Sequence, residues 1–197
     1  MNNFLYDLAK YTFWGFFGTV WRMRVYGGEN MPKTGPVIVA CNHVSYFDPP
    51  VLGTASPRRI SYMAKEELFR IPVLGAAIRA VGAYPVDREG SATSAVKRSV
   101  EVLRKGGVIG IFPEGGRNVT GAAQARGGVA LLASLGKAPV VPARLVGTSG
   151  GKRLEQFRVY FGAPLTLPQD RKASREEMAN FTDRVMRAIR SLPNSSD

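Results

Sequence analysis

His43 and Asp48 stand five positions apart just after the apolar run PVIVAC at 36–41, and they are the pair in this chain best suited to moving a proton. Imidazole is the side chain whose ordinary titration range brackets neutral pH. On a continuous helix five positions rotate a side chain by about 140°, so the two could not meet there. They need a turn. Asp48 precedes Pro49 and Pro50, and proline is pre-shaped for the first position of a helix. A strand end, a turn and a helix with Asp48 as its N-cap would fold the carboxylate back onto the ring. The carboxylate then accepts the Nδ1–H, fixes the tautomer and leaves Nε2 as a general base. The alternative is a satisfied structural histidine near the core.

A second segment carries chemistry of another kind. Residues 112–117 read Phe-Pro-Glu-Gly-Gly-Arg and follow the run GVIGIF at 107–112, so they should share a sheet edge with His43. Ligands of open α/β sheets gather where strands end. Gly115 and Gly116 let backbone N–H groups approach an oxyanion closely, and Arg117 offers a planar fork for phosphate. Glu114 belongs beside an anion site only if it holds the arginine or a substrate hydroxyl. An ordinary Pro/Gly turn is the alternative here. The stretch 147–151 matches G-x-S-x-G, but a nucleophile elbow needs its histidine downstream of the serine, and the only histidine lies upstream.

The elements that would position these groups are short apolar strands alternating with helical patterns. Strands are expected at 36–41, 59–64, 82–86, 107–112, 138–146 and 157–161, all rich in Val and Ile or bounded by Gly and Pro. Helices are expected at 92–105, at 122–135 and after a capping box made by Ser174 and Glu177, where Met178, Phe181, Val185, Ile189 and Leu192 repeat at helical spacing. The alternation predicts a single α/β domain whose mostly parallel or mixed central sheet is covered by helices. Its expected span is 26–192, with an N-terminal helix over 1–25 and a disordered tail at 193–197.

That N-terminal helix holds the uncharged aromatic run YTFWGFFGTVW at 11–21, preceded by Lys10 and followed by Arg22 and Arg24. The run is too short to cross a bilayer, which takes roughly 20 residues. Aromatic rings between flanking cations suit an amphipathic helix lying in the membrane interface. A first helix packed on the core is the alternative. Against 15 Asp and Glu the chain carries 27 Lys and Arg, a net charge of +12 that calls for an anionic partner. One cysteine excludes an internal disulfide and one histidine excludes a zinc cluster, so a reducing compartment is expected.

In order along the chain, NHVSYFD at 42–48, MAKEELFRIPVLG at 63–75, YPVDR at 84–88, FPEGGR at 112–117 and VVPA at 140–143 resemble the blocks of the glycerolipid acyltransferase family. The resemblance covers residues 36–147. It implies transfer of a fatty acyl group from acyl-CoA or acyl carrier protein to the sn-2 hydroxyl of 1-acyl-sn-glycerol-3-phosphate (lysophosphatidic acid), giving phosphatidic acid. It implies His43 as the base, Asp48 as its orienting partner, and Glu114, Gly115, Gly116 and Arg117 with Arg88 and Lys65 in acceptor and phosphate binding. No metal and no cofactor are implied. The expected location is peripheral, on the cytoplasmic face of an anionic membrane. Gly116 and Asn118 depart from the family's usual Thr and Ser, which keeps glycerol-3-phosphate or another lysolipid open as acceptor. A nucleic-acid binder would gather cations and stacking aromatics on one face, whereas most aromatics here lie at the N-terminus.

Overall fold

The Val- and Ile-rich runs become the inner strands of one seven-stranded sheet. The computed structural model describes residues 3–72, 75, 78–79, 82–86, 92–116, 127–150, 155–168, 171 and 173–194. In chain order the elements are α1 (Asn3–Val20), β1 (Arg24–Tyr26), β2 (Val37–Cys41), α2 (Asp48–Ala55), β3 (Ile60–Lys65), β4 (Ala83–Val86), α3 (Ala92–Arg104), β5 (Val108–Ile111), α4 (Gly128–Gly136), β6 (Val140–Val146), β7 (Arg158–Phe161) and α5 (Arg175–Ser191). Short 3₁₀ turns lie at Gly28–Asn30 and Glu66–Arg70.

The strand order is β1-β7-β6-β2-β5-β3-β4. Strands β6, β2, β5, β3 and β4 run parallel, so their C-terminal ends share one edge. β7 is antiparallel to β6, and β1 lies parallel to β7 at the rim. The sheet is therefore mixed, as the α/β alternation anticipated. β2 and β5 are buried at every position, the pattern of strands covered on both faces.

The two faces carry separate cores. Val37, Val39, Cys41, Val141, Ala143 and Phe157 pack against α1 and α2, while Ile38, Ala40, Ile109 and Val140 pack under α3, α4 and α5, the last contributing Phe181. Gly110 permits one close crossing. It is the register partner of Tyr62 on β3, and a Cβ there would lie 2.8 Å from the Ile60 Cγ2 and nearer still to the Tyr62 ring.

Several boundaries differ from the sequence reading. Asp48 is the first residue of α2, not its N-cap, a place taken by Phe47. α4 begins at Gly128, and residues 122–126 lie outside the described residues. β1 was not anticipated, because three residues without a buried run give no strand signal. α5 follows its capping box as expected: the Ser174 Oγ accepts from the Glu177 N–H at 3.1 Å, and the Ser174 N–H donates to Glu177 Oε2 at 2.7 Å.

α1 is held along one flank and bare along the other. Tyr6 and Phe17 are buried, and Trp21 just beyond the helix is buried too, whereas Leu8, Tyr11, Trp14 and Phe16 are exposed. Lys10 does not flank the aromatic run as a free cation. Its ammonium donates to the Ser56 carbonyl at 2.8 Å, at the C-terminal end of α2, where a cation suits the helix dipole. Among the described residues no helix is long and apolar enough to cross a membrane.

Candidate active site

The chain leaves the sheet at Cys41 and is held immediately afterwards by Asn42. The Asn42 Nδ2 donates to the Leu145 carbonyl at 3.0 Å, and its Oδ1 accepts from the Leu145 N–H at 2.8 Å. The side chain thereby prolongs the β2–β6 pairing by one step and sets the exit direction of His43.

His43 and Asp48 meet. Imidazole Nδ1 lies 2.8 Å from Asp48 Oδ2. The same oxygen accepts the Val44 N–H at 2.6 Å and the Ser45 N–H at 2.7 Å, so the turn that joins β2 to α2 is wound around this carboxylate. Asp48 is wholly buried, while the His43 side chain retains 17% exposure. The carboxylate is thus inside and the imidazole keeps an exposed edge. Fixing Nδ1 on the carboxylate leaves Nε2 as the position able to take a proton.

The ring is also supported from one face. Phe112 stacks on His43 with ring centres 4.2 Å apart, and Tyr62 lies behind Phe112 at 6.4 Å. The space left by Gly110 is what lets Tyr62 take that place. Sequence reasoning assigned no role to Asn42, Phe112, Tyr62 or Gly110, since their contacts depend on which strands become neighbours.

Phe112 opens the turn 112–115, closed by the Gly115 N–H donating to the Phe112 carbonyl at 2.9 Å. Gly115 has φ 72°, a left-handed conformation that favours glycine. Its N–H is consequently engaged in the turn, which corrects the expectation that it is a free oxyanion donor. Gly116 meets no such demand, as an added Cβ finds nothing within 4 Å. Glu114 is half-buried, and its Oε2 is buried with no hydrogen-bond partner among the described residues. Lys65 closes β3 at the same sheet edge. Arg88 and Arg117 lie outside the described residues.

An aromatic wall borders the other side of the turn. Trp21 stacks on Phe157 at 5.0 Å and contacts Phe47 at 5.7 Å, one residue before Asp48. Tyr46 beside it is 77% exposed. Cys41, below the site, is fully buried; burial first, and then the Asp48 carboxylate, push its thiol well above the usual range, so it is no nucleophile. Among the described residues no group of three or more His, Cys, Asp or Glu could hold a metal ion.

The decisive comparison is a match of the acyltransferase family profile to residues 22–146, a span that contains both His43 and the 112–116 turn. The chain belongs to the acyltransferase family. It is 36% identical over 180 residues to a 1-acyl-sn-glycerol-3-phosphate acyltransferase of Bacillus subtilis, covering 89% of this chain and 90% of that one. A Streptococcus pneumoniae protein of the same description is 31% identical over 160 residues, 79% of this chain and 60% of its relative. In fold the acyltransferase resembles the crystal structure of the 1-acyl-sn-glycerophosphate (LPA) acyltransferase PlsC from Thermotoga maritima, with a TM-score of 0.73 at 24% identity over 96% of this chain and 81% of that one. The enzyme is accordingly an acyltransferase, and its sheet edge carries an imidazole held by a buried carboxylate.

Proposed function

We propose that this acyltransferase moves a fatty acyl group from a thioester to the sn-2 hydroxyl of 1-acyl-sn-glycerol-3-phosphate, releasing the thiol and phosphatidic acid. The observation that carries the reading is the His43–Asp48 contact, with the ring stacked on Phe112 beside the 112–115 turn. The names of its relatives support the acceptor. His43 Nε2 takes the hydroxyl proton as the oxygen attacks the thioester carbonyl, a role typically worth about 10²–10⁴ in rate. The tetrahedral oxyanion collapses, the carbon–sulfur bond breaks, and His43 returns the proton to the departing thiolate. Asp48 stabilises the transient imidazolium and keeps the tautomer.

A thioester is already activated, so no covalent enzyme intermediate is required. Arg117, Arg88 and Lys65 hold the acceptor phosphate, which converts binding energy into orientation of the hydroxyl. The unpartnered Glu114 Oε2 accepts from an arginine or from a substrate hydroxyl. α1 lies in the membrane interface with Tyr11 and Trp14 turned to lipid, and the net charge of +12 draws the protein to an anionic leaflet at about 1 kcal/mol per nearby cation. Deleting α1 would uncover Phe17 and Tyr6, so the membrane role is tested with Tyr11→Ser/Trp14→Ser. That double variant should sediment less with anionic vesicles at unchanged melting temperature; unchanged sedimentation overturns the interfacial reading.

The acceptor is tested with purified enzyme, a labelled acyl thioester and a panel of lysolipids. Phosphatidic acid formed from 1-acyl-sn-glycerol-3-phosphate is the expected product. Turnover confined to glycerol-3-phosphate or to a lysolipid without a terminal phosphate contradicts the proposal.

A further inference from the structure

A base that takes the acceptor's proton turns from neutral imidazole into imidazolium, and the surroundings of His43 must answer that charge. Asp48 answers it at one point. Its Oδ2 accepts from Nδ1 at 2.8 Å, in the plane of the ring, and also serves the amides of Val44 and Ser45. One face of the imidazole meets Phe112 instead, with ring centres 4.2 Å apart and planes inclined by 23°. The face of an aromatic ring carries the negative part of its quadrupole, and a cation within about 6 Å of the centre is attracted to it. That attraction grows as water is excluded. The His43 side chain is 17% exposed and Phe112 is half-buried, so the contact is largely shielded.

Phe112 is held in this attitude from both ends. Its backbone precedes the buried Pro113, which restricts it to extended conformations, and its carbonyl accepts the Gly115 N–H at 2.9 Å. Its ring is backed by Tyr62 at 6.4 Å, the two planes inclined by only 11°. Tyr62 is buried there although its hydroxyl has no hydrogen-bond partner among the described residues, an arrangement unfavourable for a polar group. Gly110 clears the place, since a Cβ would lie 2.8 Å from Tyr62 Cδ1. A demand for apolar bulk beside His43 would be met by leucine. A column of near-parallel rings is needed only if the face of Phe112 matters.

We propose that Phe112 is a positioning residue whose π face stabilises the imidazolium formed on His43 during acyl transfer. It acts through His43 and rests on the base assignment given under Proposed function. A side chain that exchanges no proton and carries no charge thereby contributes to the rate.

The test varies the electron density of the ring while keeping its shape. In the full chain Phe112 is replaced by 4-fluoro-, 3,5-difluoro- and 3,4,5-trifluorophenylalanine, each added fluorine weakening the attraction for a cation. For transfer from acyl thioester to lysophosphatidate, kcat should fall at every step, by roughly three- to thirtyfold in total, at unchanged melting temperature. KM for both substrates should stay within about twofold. Phe112→Leu, apolar but without a π face, should lose at least as much kcat. His43 is the chain's single histidine, so NMR follows its ring without turnover, and the midpoint of its pH titration should drop with each fluorine. Level kcat values beside an inactive His43→Ala overturn the proposal, as does a folded Phe112→Leu enzyme with wild-type turnover. Turnover that survives His43→Ala sinks the reaction under Proposed function instead. The contact then stands or falls on whether fluorine lowers the NMR midpoint.

Discussion

The side-chain amide of Asn42 occupies both backbone groups of Leu145, as a further residue of β2 would. The residue that follows is His43, so this clamp fixes where the imidazole leaves the sheet. Asn42→Ala leaves the N–H and C=O of Leu145 without these partners, at a cost of about 1–3 kcal/mol for groups that stay buried. Urea unfolding should report that loss, and kcat should fall further than KM rises. A variant with native stability and native kcat would show that the clamp does not position the base.

Asp48 uses one oxygen for three donors, which links the His43 turn to the start of α2. Asp48→Asn retains an acceptor of the same shape but removes the charge that stabilises the imidazolium. Its kcat is expected to drop by roughly 10²–10³ with the acceptor KM little changed. Steady-state kinetics on the folded variant, checked by circular dichroism, decides this; a loss under tenfold contradicts the assigned role.

Behind His43, Gly110 gives room to the Tyr62 ring, and Tyr62 backs Phe112 against the imidazole. Gly110→Ala places a methyl group into a buried ring that cannot swing away. Overpacking of this kind costs typically 1–3 kcal/mol. Thermal unfolding should show it, together with reduced kcat as the stack shifts. Full stability would mean that β5 can move aside without disturbing β3.

The α5 cap makes a pH prediction. Hydrogen bonding to Arg171, and then to the Ser174 backbone, holds the Glu177 carboxyl down from 4.5 to about 2. A carboxyl depressed on folding stabilises the folded state above its unfolded value and loses that contribution as pH falls through the folded one. The melting difference between wild type and Glu177→Gln should thus be constant above pH 4.5 and disappear progressively toward pH 2. A difference that persists unchanged at the acid end would contradict the ion-pairing account.

Much of the site could be read before the fold was known, for reasons that are local. The run 36–41 announces a buried strand, proline after Asp48 announces a helix start, and the two together bring the carboxylate back to His43. Ser174 and Glu177 likewise declare a helix start through contacts three residues apart. What escaped depends on distant pairing. β1 exists only because β7 offers it a partner, and the need for glycine at 110 arises only when β3 lies beside β5. Lys10 looked like a membrane-flanking cation, yet a free carbonyl at the end of α2 drew it inward. The engaged N–H of Gly115 was hidden for the same reason, since only the closed turn shows which amide points back to Phe112.

Replacing His43 by alanine and following phosphatidic acid from labelled acyl thioester and lysophosphatidate tests the central assignment most directly. The account predicts a folded protein whose transfer rate falls by about 10²–10⁴, the contribution of a lost general base. A folded His43→Ala enzyme that keeps wild-type turnover would contradict it.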